Sequence, residues 1–354
     1  RCMTDPRNPA LRQFCPAPML IIWSDSDDGF RLARNTANTK EISMSIVRWG
    51  VIGNAKIGRE RLQPAIEASA HGELVAVASR SGDLSYEALL ARDDIDAVYI
   101  PLPNHLHVEW SRKALEAGKH VLCEKSITLT PEALEPLLDV RPDLILSEAF
   151  MVRFHPQWVK VRELVQSGAI GEARAINGQF SFYNVDPHNV RNQPNMGGGG
   201  ILDIGCYPIF SARYVWGTEP IKAASVIMEQ ADFGTDVQCT GIMEFPDNRH
   251  LSFMCSTQLA LHQRVVVQGT TGRIEVKVPF NPYPGLAEPE LYLFEGAGLG
   301  DGHGQRIEIE NVDQYVLEVE AMNRAILGLE EWSVPRTEIM AQARAIAMVF
   351  DGKI

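Results

Sequence analysis

Cysteine is scarce in this chain, six residues in 354. Cys2, Cys15, Cys123, Cys206, Cys239 and Cys255 are irregularly spaced, and none forms a C-x-x-C pair or a zinc-like cluster. No metal site is expected from them, and they read as reduced thiols of a cytoplasmic protein. Long apolar runs are also lacking. None nears the ~20 residues that span a bilayer, and the early run Met19-Leu20-Ile21-Ile22-Trp23 is too short even for a signal-peptide core. Basic charge is in deficit: 33 Lys and Arg face 45 Asp and Glu, for a formal charge of −12. That balance argues against general affinity for nucleic acid or a membrane surface, while leaving room for a local phosphate site. Neither an internal repeat nor a low-complexity tract is visible.

What remains is ordinary globular composition, 45% hydrophobic and 22% charged, at a length suited to two domains of roughly 100–200 residues each. Residues 1–43 mix Pro, Asn, Asp and Arg without a sustained period. They read as a poorly ordered extension, either upstream sequence translated ahead of the true start or a short docking arm. From 47 onward short apolar runs alternate with helical ones. Strands are expected over 47–53, 74–79, 97–101, 120–123 and 144–147, with helices over 57–70, 85–91, 107–117 and 131–139. Such alternation means a parallel sheet with crossover helices. After about 150 the texture changes. A helix near 155–167 precedes alternating strands over 173–183, 223–228, 238–245, 251–257, 263–268, 273–278 and 290–294, then helices over 313–328 and 335–350. These strands read as a mostly antiparallel sheet. The expected class is α/β: a Rossmann-type domain over 44–150, then an α+β domain over 151–354 with a large open sheet.

The first strand runs into Gly53-Asn54-Ala55-Lys56-Ile57-Gly58, a G-x-G-x-x-G pattern with Ala as its second small residue. The first glycine permits a tight turn and the last lets helix and strand pack closely. The helix start then offers free N–H groups to a pyrophosphate. The pattern is weak alone, but it stands after a strand and before a helix, which is the context it needs. The second strand ends Ser79-Arg80-Ser81. An acidic residue there would bond a ribose 2′-hydroxyl, whereas Arg accommodates a 2′-phosphate, so NADP is favoured over NAD. A solvated surface arginine is the bland alternative.

Glu124-Lys125 closes the strand 120–123, where ligands of open α/β sheets bind; a lysine alone is otherwise a common surface residue. Further on, Gly197-Gly198-Gly199-Gly200 precedes Asp203 and Tyr207, spaced i, i+4. If a helix starts there, both lie on one face and could bind a hydroxyl and relay its proton. A buried tyrosine that caps a backbone group is the competing reading.

The stretches WGVIGNAKIG, AVASRS, AVYIPLPNHLH, GKHVLCEKSITLT, SEAFMVRFHPQW, DPHNVRNQP and GGGGILDIGCYPI cover about 47–217. Together they resemble the glucose–fructose oxidoreductase/inositol dehydrogenase (GFO/IDH/MocA) family of NAD(P)-dependent sugar oxidoreductases. The resemblance is nearest to the branch of NADP-dependent D-xylose and dimeric dihydrodiol dehydrogenases. It implies Lys125, Asp203 and Tyr207 as the catalytic group, with Tyr207 exchanging the hydroxyl proton and Lys125 lowering its pKa. It implies cofactor contacts at Gly53, Ala55, Lys56, Ile57, Ser79, Arg80, Pro101, Leu102, Asn104, His107, Glu124, Lys125 and Arg191. It implies substrate contacts at Arg153, Phe154, Tyr183, Asp203 and Tyr207, with Gln314 and Tyr315 approaching from the last domain. Hydride transfer is then the cofactor's chemistry, a small sugar or diol is the substrate, and the open sheet, with apolar strands such as Val265-Val266-Val267, joins two subunits. Two departures stand out. The family's Glu-Lys-Pro reads Glu124-Lys125-Ser126, which frees φ at 126 and is expected to loosen Lys125. Between Ser81 and Tyr86 about twenty residues of helix and strand are missing on the adenine side, and a further shortening falls near 139–143. These departures leave a non-catalytic NADP(H)-binding regulator, or a decayed family member, as the alternative.

Overall fold

The computed structural model describes residues 46–296 and 304–354. The extension read over 1–43 lies outside them. The first sheet is parallel and consists of β1 (Val47–Ile52), β2 (Gly72–Ala78), β3 (Ala97–Ile100), β4 (His120–Glu124) and β5 (Leu146–Ala149), in the order β2-β1-β3-β4-β5. A full Rossmann sheet carries one more strand outside the second. Here β2 is the sheet's edge, and residues 79–85 lead straight into the next helix, as the short Ser81–Tyr86 link requires. Every residue of β3 is buried, as expected for a strand covered on both faces.

The helices α1 (Gln63–Ala68), α2 (Tyr86–Leu90), α3 (His107–Glu116) and α4 (Pro131–Leu134) join these strands. Prolines shape two of them. The helix expected over 57–70 opens instead as a π turn over Gly58–Leu62, because Pro64 has no N–H to give back to residue 60. The helix expected over 131–139 ends as α4 and a 3₁₀ turn, Glu135–Leu137, since Pro136 cannot continue it.

The second sheet has eight strands: β6 (Ala173–Tyr183), β7 (Lys222–Gln230), β8 (Thr235–Phe245), β9 (Arg249–Ser256), β10 (Gln258–Gly269), β11 (Gly272–Val276), β12 (Leu291–Glu295) and β13 (Gln305–Ile307). They run β13-β12-β11-β10-β6-β9-β8-β7, antiparallel except for β6 beside β9. One face is buried by α5 (Pro156–Gln166), α6 (Cys206–Trp216), α7 (Gln314–Ile326) and α8 (Arg336–Asp351) together with the neighbouring loops. The other face is open, and along β8 it exposes Thr240, Ile242 and Glu244 at every second residue.

Helix α7 returns to the first sheet. Trp49 on β1 donates its indole N–H to Asn323 Oδ1 at 2.8 Å, and Asn323 donates to Ser69 Oγ at 3.1 Å. Helix α8 does the same through Arg336, which donates to the carbonyls of Leu138, Val140, Arg141 and Leu144. The two sheets therefore share helices and enclose one cleft between them.

Candidate active site

The cleft starts where β1 ends. Gly53 takes φ +125°, a conformation that a side chain would strain, and a Cβ there would lie 3.0 Å from Leu102 Cδ2. Its N–H bonds to Ala78 O at 2.9 Å, which ties the turn to β2. Ala55, Lys56 and Ile57 follow on the cleft wall, with Pro101, Leu102 and Asn104 after β3 and Glu124 and Lys125 at the end of β4. The opposite wall comes from residues 186–204, Phe180 and Phe182 of β6, Met151, Tyr207 of α6 and Tyr315 of α7. The space enclosed is about 840 Å³. A glycine turn that a side chain would strain, leading into the N-terminus of a helical run, is a fit cradle for a dinucleotide pyrophosphate.

At the centre lies a chain of charges. Lys125 Nζ donates to Asp203 O at 2.7 Å and to Asp203 Oδ1 at 3.1 Å. Arg191 Nε donates to Asp203 Oδ2 at 2.6 Å. Burial works to raise Asp203, but the lysine and arginine outweigh it and hold the carboxyl at about 2. Burial works against the Lys125 ammonium in turn, and Asp203 with its acidic neighbours overcomes it, so the lysine stays charged. Asp203 and Tyr207 do share a helical face, as their spacing predicts, although Asp203 sits on a π turn, Ile201–Gly205, that runs into α6 ahead of Pro208.

Tyr207 departs from expectation. Its hydroxyl donates to Met151 Sδ at 3.8 Å, and the Lys125 ammonium stands over its ring at 5.4 Å. Lys125 is thus committed to Asp203 and does not hydrogen-bond the phenol. Burial, followed by the acidic groups around it, pushes Tyr207 well above its ordinary value. Glu124 accepts from Tyr99 Oη at 2.6 Å, and burial raises its carboxyl.

Ser126 does not loosen the lysine. It is buried, with its Oγ donating to Leu202 O at 3.1 Å and its carbonyl 2.8 Å from His107 Nδ1. A proline could make only the second of these contacts. The Lys125–Ser126 peptide is cis.

Other expected positions lie elsewhere. His107 is fully buried behind the wall, spanning Ser126 O and Leu102 O at 2.8 and 2.7 Å, and does not reach the cleft. Burial works to lower its pKa, to about 4, against these two carbonyls, which both favour the charged ring because a neutral imidazole can donate to only one of them. Arg191 faces Asp203 from the rim. Ser79 and Arg80 stand at the end of β2 outside the cleft lining, with Arg80 exposed. Arg153 and Phe154, expected at substrate, point away instead: Arg153 pairs with Glu338 at 2.8 Å over the Phe210 ring, and Phe154 stacks on Trp332. A buried guanidinium needs a carboxylate, and Glu338 of α8 supplies it. Tyr183 is 67% exposed, because the strand period of two turns Phe180 and Phe182 to the cleft and Tyr183 outward. Gln314 is buried and donates to Phe280 O at 3.0 Å, leaving Tyr315 on the wall.

Sequence reasoning passed over Phe180, Phe182, Tyr99 and Met151. The alternation of β6 is the signal that could have found the first two. The others come together only through the fold.

Comparison with known proteins accounts for this arrangement. The family described as "Oxidoreductase family, NAD-binding Rossmann fold" matches residues 82–142, and "GFO/IDH/MocA C-terminal domain" matches 158–275. A protein of Rhizobium meliloti described as an uncharacterised oxidoreductase is 39% identical over 84% of this chain and 96% of its own. The D-xylose 1-dehydrogenase (NADP(+)) 2 of Haloferax volcanii is 35% identical over 86% of this chain and 96% of its own. The structure of a 3-ketoreductase from Actinomadura kijaniata with NADP and TDP-benzene superposes with a TM-score of 0.80 at 31% identity, covering 87% of this chain and 98% of that one. The chain belongs to the GFO/IDH/MocA family of oxidoreductases, with its NAD(P)-binding Rossmann fold.

Proposed function

We propose that this chain is an NADP-dependent dehydrogenase acting on a sugar, an aldose such as D-xylose, or on a trans-dihydrodiol. The observation that carries the reading is the charge chain of the buried Lys125–Asp203 pair and the rim residue Arg191 beside Tyr207, at the carboxyl edge of the first sheet. Residues 44–150 would hold the cofactor, and 151–354 the substrate and a second subunit.

The backbone of Gly53–Ile57 would hold a pyrophosphate, Arg80, beyond the cleft lining, would meet a 2′-phosphate, and Pro101, Leu102, Asn104 and Glu124 would flank the nicotinamide side. When bound, the nicotinamide supplies hydride acceptance or donation at C4. The protein orients the substrate and moves one proton. Asp203 and Lys125 hold the reacting hydroxyl by charge-assisted hydrogen bonds. Tyr207, protonated in its buried setting, is the acid that a carbonyl oxygen needs on reduction, and its phenolate takes the hydroxyl proton on oxidation. Lys125, over the tyrosine ring at 5.4 Å, would have to turn from Asp203 to the phenol oxygen to stabilise the phenolate.

The open face of β7 and β8, with Val226, Met228 and Ile242 each about half exposed, supports a homodimer. The buried free thiols Cys123, Cys206, Cys239 and Cys255 suit a reducing cytoplasm.

The test incubates pure protein with NADP+ and D-xylose, other aldoses and trans-dihydrodiols, while absorbance is followed at the NADPH band. Turnover is expected with at least one of them. Absence of turnover, from folded protein that still quenches on NADPH titration, overturns the dehydrogenase reading and leaves a non-catalytic NADP(H)-binding protein.

A further inference from the structure

The helical run that presents Asp203 and Tyr207 begins at Ile201 and continues through Trp216, preceded by the four glycines. A helix start leaves its first N–H groups without intrahelical partners. Gly200, at the N-cap, has no side chain to meet them. The partner arrives from 35 residues away: Asp236, near the start of β8, accepts from Ile201 N through Oδ2 at 2.7 Å. The Gly200 amide beside it also favours the charged form of the carboxyl. Asp236 is itself buried, with a relative exposure of 8%.

The glycines are shaped around that carboxylate. Gly199 has φ +117°, and a Cβ on it would lie 2.0 Å from Asp236 Oδ1. A Cβ on Gly200 would lie 3.4 Å from Oδ2. The tetraglycine therefore reads as a close-fitting seat and not as a hinge. The same loop holds both ends of the charge chain: Gly199 N donates to Arg191 O at 2.9 Å, and Asp203 N donates to Gly199 O at 3.2 Å. One carboxylate thus fixes the backbone on which Arg191 and Asp203 depend, and with it the rotation of the helix that carries Tyr207.

We propose that Asp236 is a positioning residue of this site, a capping carboxylate lent by β8 that seats the Gly198–Ile201 loop and so aims Asp203 and Tyr207 at Lys125. The proposal rests on the reading of Lys125 and Tyr207 as reacting groups. It gives β8 a second task, since the strand that carries the outward-facing Ile242 also anchors the reactive helix.

The test compares wild type with Asp236→Asn and Asp236→Ala by hydrogen exchange and steady-state kinetics. In both variants amide protection over 198–204 is expected to fall by about tenfold or more, while β9 and the first sheet keep theirs. kcat is expected to fall about tenfold or more, with the KM for NADP within about threefold, because the phosphate turn at Gly53 is untouched. Gly199→Ala, which drives a methyl into the carboxylate, should reproduce the loss. Unchanged protection over 198–204, or an unchanged kcat, overturns the proposal. So does protection lost evenly over the whole chain, which would make Asp236 a stability residue only. Wild-type turnover is scored first: its absence overturns the dehydrogenase reading, whereas the exchange comparison bears on Asp236 alone.

Discussion

At the scale of single residues, the site is a question of which charge faces which. Lys125 is held by Asp203, and Asp203 by Lys125 and Arg191, the first two largely out of water and Arg191 at the rim. Lys125→Met removes the only ammonium over Tyr207 among the described residues. It should lower kcat by about 10²–10⁴-fold, with little change in NADPH affinity by fluorescence titration. Arg153 illustrates the opposite case. It looks like a substrate contact in sequence, yet its guanidinium is buried on Glu338 and the Phe210 ring. Arg153→Ala should therefore leave the substrate KM within about twofold and cost only about 1 kcal/mol of stability, because Glu338 keeps its pairing with Arg213 at 3.1 Å; denaturant unfolding measures the loss.

At the scale of elements, the sequence is legible where local periodicity decides and silent where partners arrive from afar. Strand β1 and its turn at Gly53, the end of β4 at Lys125, and the shared face of Asp203 and Tyr207 all follow from nearby residues. Prolines 64 and 136 rewrote helix starts and ends that hydrophobic period alone could not mark. One step along β6 separates Phe182, on the cleft, from Tyr183, on the outside, so a correct strand still gave a wrong side chain. Asp236 is beyond any local motif, since 35 residues and a sheet pairing separate it from its loop. Ser126 belongs here too. Read as a missing proline, it predicts a loose lysine; in the fold it ties the end of β4 to the start of the reactive helix. Ser126→Ala should leave Leu202 O without that donor and lower stability by about 1 kcal/mol, read as a fall in the unfolding midpoint.

At the scale of the whole molecule, buried acids set the response to pH. Burial pushes Glu148 up to about 7, against the Ile127 N–H that it accepts at 2.9 Å. Between about pH 4.5 and 7 the folded chain then keeps a proton that the unfolded chain has lost, so stability falls as pH rises through that window. Glu148→Gln removes this residue's share and leaves those of Asp236 and Glu318, which burial also raises. The variant's stability relative to wild type should improve from pH 5 to pH 8 by about 2–3 kcal/mol in urea titrations. The open sheet carries a second prediction at this scale: the proposed pairing of two copies through β7 and β8 makes wild type a dimer in light scattering and Ile242→Glu, which places charge in the apolar patch, a monomer. The last helix adds a matter of timing. Gln342 of α8 donates to Cys206 O at 3.0 Å and accepts from the Arg213 guanidinium at 2.8 Å, so both ends of α6 are held from residues beyond 335. Synthesis runs from the N-terminus, and domains fold as they emerge. The glycine turn at Gly53 leaves the ribosome almost three hundred residues before α8. The first sheet waits on the same late residues, because Asn323 of α7 and Arg336 of α8 tie down β1 and the stretch after α4, so the nucleotide turn and the reactive helix are completed together, by the last segment to be made.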